Sequence, residues 1–250
     1  MIIIRSMGLK IDEDKAISLI GYNGKFKNHL KTVIQMMEND DTIDSIKKAA
    51  YLLATASVES GYSLSRWEAD YACGKYGVPY DGKPCQKAMD YYASDKGKQN
   101  YFNLGTDSNG VPYIGRGLIQ LTGKYNYKLY GDTIGVDLVK NPDEALKPET
   151  SYKIASAYMN KHKKNGKTTF EWVESGDLTN ARKTVNGGTK SLNEVNTAYK
   201  KWVDVLTKTA KVTPKKLKIQ EGLSLGLIMI VASATLGLYY VTMKFKTMWL

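Results

Sequence analysis

Apolar residues recur at helical spacing over residues 24–37 (GKFKNHLKTVIQMM) and 42–60 (TIDSIKKAAYLLATASVES), which predicts two helices. Asp41 or Thr42 can cap the second, and Gly61 supplies its stop. From 67 to 113 the chain is rich in Tyr, Gly, Asp and Asn and holds no stable period, so long irregular segments with short hairpins are expected. Helical pattern resumes at 119–130 and, after Asn141-Pro142, at 148–161; a further pair is expected over 170–186 and 192–206. No repeat and no strand–helix alternation is visible, which disfavours a doubly wound sheet. The expected fold is mainly α, with a small β or loop lobe.

One stretch departs from this pattern. Residues 222–243 (GLSLGLIMIVASATLGLYYVTM) carry no charge, and as a helix they would cover roughly 33 Å, the thickness of a bilayer core. They follow a basic, Pro-containing run, KVTPKKLK at 211–218. The organisation read from hydropathy is therefore an N-terminal segment (1–23), a catalytic-size domain (24–208), a basic linker (209–221), a transmembrane helix (222–243) and a short tail (244–250). With no secretory signal at the N-terminus, the expected localisation is membrane-anchored, in a bacterial envelope or a virion membrane.

Composition narrows the chemistry. The 250 residues contain 36 Lys and Arg against 25 Asp and Glu, a formal +11 that suits a polyanionic partner without choosing one. Two cysteines and two histidines exclude zinc fingers and His-rich metal centres, so no metal or cofactor is expected and catalysis must lean on carboxylates. Nothing resembles a nucleic-acid-binding module. GLSLG at 222–226 matches the serine-nucleophile pattern G-x-S-x-G, but it opens the apolar span, and neither His29 nor His162 stands as its base. Cys73 and Cys85 enclose a glycine-rich loop and can be thiols or a disulfide according to compartment.

The carboxylates of interest are Glu59, at the end of the apolar run YLLATASV, and Glu68, nine residues on among polar loop residues. A Glu at the edge of an apolar face is partly desolvated and suited to hold a proton, whereas one in a polar loop stays ionised as a base.

The blocks ATASVESG (54–61), GRGLIQLTGKYNY (115–127) and TVNGG (184–188) stand in an order and spacing that resembles glycoside hydrolase family 19, the plant-type chitinases and many phage endolysins. The resemblance runs from about residue 24 to 206. It implies a lysozyme-like α+β fold of two lobes around a substrate cleft, and an inverting hydrolase of β-1,4 glycosidic bonds. By position, Glu59 matches the general acid, Glu68 the base and Thr122 the hydroxyl that holds the attacking water. Gln120, Tyr125, Asn126 and Asn186 match sugar-binding residues, and Arg116 lies in the motif, where it either orients a carboxylate or forms a framework ion pair. Three departures from the family pattern are Val58 in place of His, Tyr62 in place of a second Gly, and a spacing from Glu68 to Tyr71 one residue short. The basic charge and the apolar tail favour a peptidoglycan-cutting lysin, with the lipid bilayer as a second partner. The alternatives are a chitinase, or a non-catalytic glycan-binding or structural envelope protein.

Overall fold

A computed structural model describes residues 5–67, 86–96 and 104–216. Glu68, Tyr71, Cys73, Cys85 and the apolar stretch 222–243 lie outside these described residues.

The chain opens with strand β1 (Arg5–Ile11), followed by helices α1 (Glu13–Ile20), α2 (Lys27–Glu38), α3 (Ile46–Glu59) and α4 (Gln86–Ala93). Then come α5 (Lys124–Ile134), a 3-10 turn (Pro142–Leu146), α6 (Pro148–Lys161), the two-residue strands β2 (Lys163–Lys164) and β3 (Lys167–Thr168), α7 (Thr169–Glu174), α8 (Leu178–Asn186), α9 (Leu192–Thr209) and β4 (Ala210–Lys216). The fold is mainly helical with two small antiparallel sheets, β1–β4 and β2–β3.

Helix α3 is the central element. Ser45 caps it by accepting from the Lys48 N–H, and Ala49 to Ala56 are buried without interruption. That continuity is why its apolar pattern reads as all-round rather than one-faced: α9 packs along it, and α6 and α7 cover other sides. Trp202 of α9 is fully buried, with Tyr51, Leu52 and Leu53 of α3 in the same core. A second, smaller cluster of Trp67, Tyr92 and Ile114, with Leu104 and Leu146 against it, forms the core of the lesser lobe.

Several helix ends differ from expectation. The helix sought at 119–130 begins only at Lys124, because Gly117, Gln120 and Gly123 all take positive φ and the intervening chain is a tight irregular loop. The stretch 170–186 is broken at Ser175–Gly176–Asp177: Gly176 adopts φ +81°, and Asp177 restarts the chain as the cap of α8. The capping box of α7 is complete, Thr168 accepting from the Glu171 N–H while Glu171 accepts from the Thr168 N–H.

Strand β1 was not predicted. It pairs antiparallel with β4 from Arg5↔Lys216 to Ile11↔Ala210, and Leu9 and Ile11 enter the main core beside Ala16 and Ile17 of α1. These elements lie in the stretches that hydropathy alone sets apart as an N-terminal segment and a linker.

The expectation of a membrane-anchored chain is corrected. Among the described residues no helix is long and apolar enough to cross a membrane, and the basic run that was read as a juxtamembrane linker is, through Lys216, the strand that closes the folded body against β1.

Candidate active site

Glu59 is the last residue of α3, and the buried helix carries it to the wall of a cavity of about 450 Å³. The same cavity is lined by Ile119, Gln120, Leu121 and Thr122 of the GRGLIQLTG loop, by Asn126 at the start of α5, and by Val185, Asn186 and Lys190. Three blocks far apart in sequence thus converge on one space.

The loop 115–123 is held by backbone bonds on both sides. Arg116 and Leu121 exchange N–H to O bonds of 3.2 and 3.0 Å, and the Gly117 N–H donates to the Arg66 carbonyl at 2.7 Å. Gly117 sits at φ +76° with no room for a side chain: a Cβ there would lie 2.6 Å from both the Ala145 carbonyl oxygen and Ser151 Oγ. Gln120 holds φ +56°, costly for a residue with a side chain, and its amide Nε2 donates to the Gly117 and Arg66 carbonyls at 2.9 and 3.2 Å. Such strain persists where the surroundings fix it, and here it aims the loop at the cavity. Thr122 Oγ1 donates its proton to the Gln120 carbonyl at 2.9 Å, which leaves the hydroxyl oxygen's lone pairs as acceptors. Asn126 donates to the Thr122 carbonyl at 2.8 Å.

The residue that touches Glu59 is Arg182 of α8. Its Nη1 lies 2.5 Å from Glu59 Oε1, and its Nε donates to the Lys190 carbonyl at 2.7 Å. The guanidinium is 2% exposed and the Glu59 side chain 19%, so the pair is desolvated on one side and open to the cavity on the other. One cation therefore ties the end of α3 to the wall that carries Asn186. Tyr158 of α6 also lines the cavity, stacks on His162 at 4.6 Å, and has its phenol pushed up to about 12, by burial first and by the neighbouring Glu59 charge second. The apolar edge read from the sequence is thus only part of the environment of Glu59; a charge partner is the other part.

Arg116 stands elsewhere. It is fully buried, 4.1 Å over the Trp67 ring, and donates to Tyr127 Oη at 2.8 Å while its Nε pairs with Asp143 at 3.1 Å. The Asp143 contact is an ion pair within the framework, and Glu68 lies outside the described residues. Tyr125 is 76% exposed and is not among the residues lining the cavity. Arg66, Lys190 and Tyr158 are cavity residues that the sequence did not single out. No group of three or more metal-ligating side chains occurs among the described residues.

This geometry meets a direct comparison. Residues 21–189 match the glycoside hydrolase 19 family, class I chitinase. The chain belongs to that family. The family is one of chitinase-type glycoside hydrolases. Chitinase 11 of Oryza sativa subsp. japonica is 44% identical over 72 residues, covering 26% of this chain and 28% of that protein. The endochitinase of Pisum sativum is 31% identical over 142 residues, or 54% of this chain and 41% of its own length. The chain thus spans well under half the length of these curated relatives. Chitinase C from Streptomyces griseus HUT6037 shares the fold, with a TM-score of 0.53 at 20% identity over 79% of this chain and 92% of that one.

Proposed function

We propose that this chain hydrolyses β-1,4 bonds of chitin-type glycans with inversion at the anomeric carbon, Glu59 serving as general acid. The observation that carries the reading is the convergence on one cavity of Glu59, Thr122, Gln120, Asn126 and Asn186, with Arg182 clamped to Glu59. Glu59 protonates the departing glycosidic oxygen. Thr122 Oγ accepts from the attacking water and Glu68 removes its proton. Inversion needs space for that water, so the Glu59 and Glu68 carboxyl groups are expected about 6.5–9.5 Å apart when the cleft holds substrate. Gln120, Asn126 and Asn186 supply amides for acetamido and hydroxyl groups, and Tyr125, on the solvent side of α5, extends the surface toward an outer sugar. Arg182 holds Glu59 by Oε1, which leaves the other carboxyl oxygen to carry the proton, and stabilises the carboxylate that remains once that proton has passed to the glycosidic oxygen.

Chitin is the substrate favoured by the family and by the endochitinase names of the relatives. A second reading, the glycan of peptidoglycan, is favoured by Arg66 and Lys190 at the cavity and by the formal +11, which attract an anionic polymer. Release of reducing ends from chitin hexamer and from purified peptidoglycan, measured side by side with the full chain, tests both. Release from chitin alone supports the first, release from peptidoglycan alone the second, and release from neither contradicts hydrolysis.

A further inference from the structure

Glu59 ends α3, and the chain then reverses through Gly61 at φ +62° and Tyr62 at φ +69°. The Ser60 and Tyr62 N–H groups both donate to the Ala56 carbonyl at 3.1 Å, so the turn folds back onto the helix that presents the carboxylate. Gly61 adopts this conformation freely. For Tyr62 it is unfavourable, and a bulky ring persists there only because its surroundings fix it.

Those surroundings are two aromatic side chains from other elements. Tyr62 is 5% exposed, and its ring meets Tyr22 edge to face at 4.9 Å and 78°, and Trp202 at 6.3 Å and 86°. Its Oη accepts from Trp202 Nε1 at 3.0 Å, while Tyr22 Oη donates to the Gly61 carbonyl at 3.1 Å. The α1–α2 connection and α9 thereby grip two consecutive residues of the turn. Burial pushes the Tyr62 phenol up to about 12, so the grip keeps its proton across the working range of a glycosidase. Beyond the turn the same segment carries Arg66, whose carbonyl accepts from Gly117 and Gln120 of the cavity loop. The rings also border a separate cavity of about 550 Å³ on the Ser57 and Val58 side of α3, which leaves space for the turn to relax once the grip is lost.

We infer that Tyr62, held between Tyr22 and Trp202, is a positioning residue that fixes the last turn of α3 and with it the aim of the Glu59 carboxyl. The inference rests on the reading of Glu59 as general acid. Tyr62 touches no substrate and acts through Glu59 alone. Its loss therefore weakens only steps that need the proton Glu59 delivers, a consequence that general loosening of the core does not share.

The test uses Tyr62→Phe, Tyr62→Gly and Trp202→Phe in the full chain, on two substrates. Chitin hexamer needs a proton on its leaving oxygen, whereas a 2,4-dinitrophenyl chitooligosaccharide departs without one. On the hexamer, kcat is expected to fall about threefold for Tyr62→Phe and Trp202→Phe and about thirtyfold for Tyr62→Gly, with KM within about twofold. On the aryl glycoside all three variants keep wild-type kcat within about twofold. Equal losses on both substrates, or an unchanged hexamer kcat in Tyr62→Phe and Trp202→Phe, overturn the inference. Should Tyr62→Gly fail to fold, the two milder variants carry the comparison.

A readout independent of turnover separates this inference from the assigned activity. In ¹³C-glutamate-labelled protein, the Glu59 carboxyl signal is assigned by its absence in Glu59→Gln. At fixed pH its chemical shift is expected to move in Tyr62→Phe, as the carboxyl changes orientation, and to stay in place in Leu19→Ala, a change on the exposed face of α1. If the wild type cleaves neither substrate, the activity fails; a stationary Glu59 signal then overturns the positioning role separately, and a displaced one supports it.

Discussion

Glu59 and Arg182 meet across 123 residues of sequence, and neither is explained without the other. Breaking a buried pair by removing one partner leaves the other uncompensated, at a cost of about 3–5 kcal/mol. Arg182→Ala is accordingly expected to lower stability by several kcal/mol, less what the partial exposure of Glu59 screens, and to depress kcat together with it. Arg182→Lys restores charge but not the simultaneous reach to Glu59 and the Lys190 carbonyl, so it is expected to recover stability better than rate; thermal denaturation and steady-state kinetics read the two separately. Glu59→Gln keeps the shape and removes the proton, and is expected to cut kcat about 10²–10⁴-fold with an unchanged far-UV spectrum. At this scale the sequence displayed Glu59, Thr122 and Asn186 through their local blocks, because short-range chemistry marks them. It pointed to Arg116 because that arginine lies inside the most conspicuous motif, whereas Arg182 sits in TNARKTVN with nothing local to distinguish it. Its role is created wholly by the tertiary fold, which brings Arg182 of α8 to the last residue of α3.

At the scale of elements, positive-φ positions govern where helices end and where the site's loop turns. Gly117 combines φ +76° with backbone and Ser151 contacts that a methyl group cannot enter. Gly117→Ala is therefore expected to destabilise the chain by more than about 1 kcal/mol, the loss expected from an incompatible φ alone, and to reduce activity by displacing Gln120 and Thr122; the midpoint of urea unfolding and kcat should fall together. The α7 cap makes a milder prediction. Thr168→Ala removes the side chain that accepts from Glu171 N–H and is expected to cost about 1 kcal/mol, visible in the same unfolding curve without a change in kcat. Helices α3, α6 and α9 were legible because long apolar periodicity marks them. The later start of α5 and the break between α7 and α8 were not, since they depend on left-handed backbone at Gln120 and Gly176 that the apolar pattern does not encode. Strand β1 escaped for a different reason: its partner β4 lies some two hundred residues away, and a single strand of seven residues beside a Lys-rich one carries no local alternation strong enough to declare a ribbon.

Across the whole molecule, the β1–β4 ribbon ties the first and last described elements together, and α2 braces the site from behind. His29 of α2 accepts the Leu64 N–H at its Nδ1, at 3.2 Å, within the segment that leads from Glu59 to Arg66. Burial lowers the His29 pKa below its ordinary 6.5. His162 is lowered too, by burial first and then by Lys164. Both are neutral in the folded state at a pH where the unfolded chain takes up protons, so their contribution to stability is complete above about 6.5 and is lost as pH falls through their folded values. The thermal midpoint is expected to decline between pH 7.5 and pH 5, and His29→Gln, which removes one of the two protons, to flatten that decline. The bilayer partner expected from the uncharged stretch 222–243 and the basic run before it is overturned: no spanning helix occurs among the described residues, and part of the basic run is strand.

The central claim is that Glu59 delivers a proton while a water attacks from the opposite face of the sugar. Proton NMR of chitin hexamer during the first minutes of cleavage, before mutarotation, tests it most directly. The account predicts new reducing ends that are initially α-anomers with the wild type, and none with Glu59→Gln. Initial β-anomers, or undiminished release by Glu59→Gln, would contradict it.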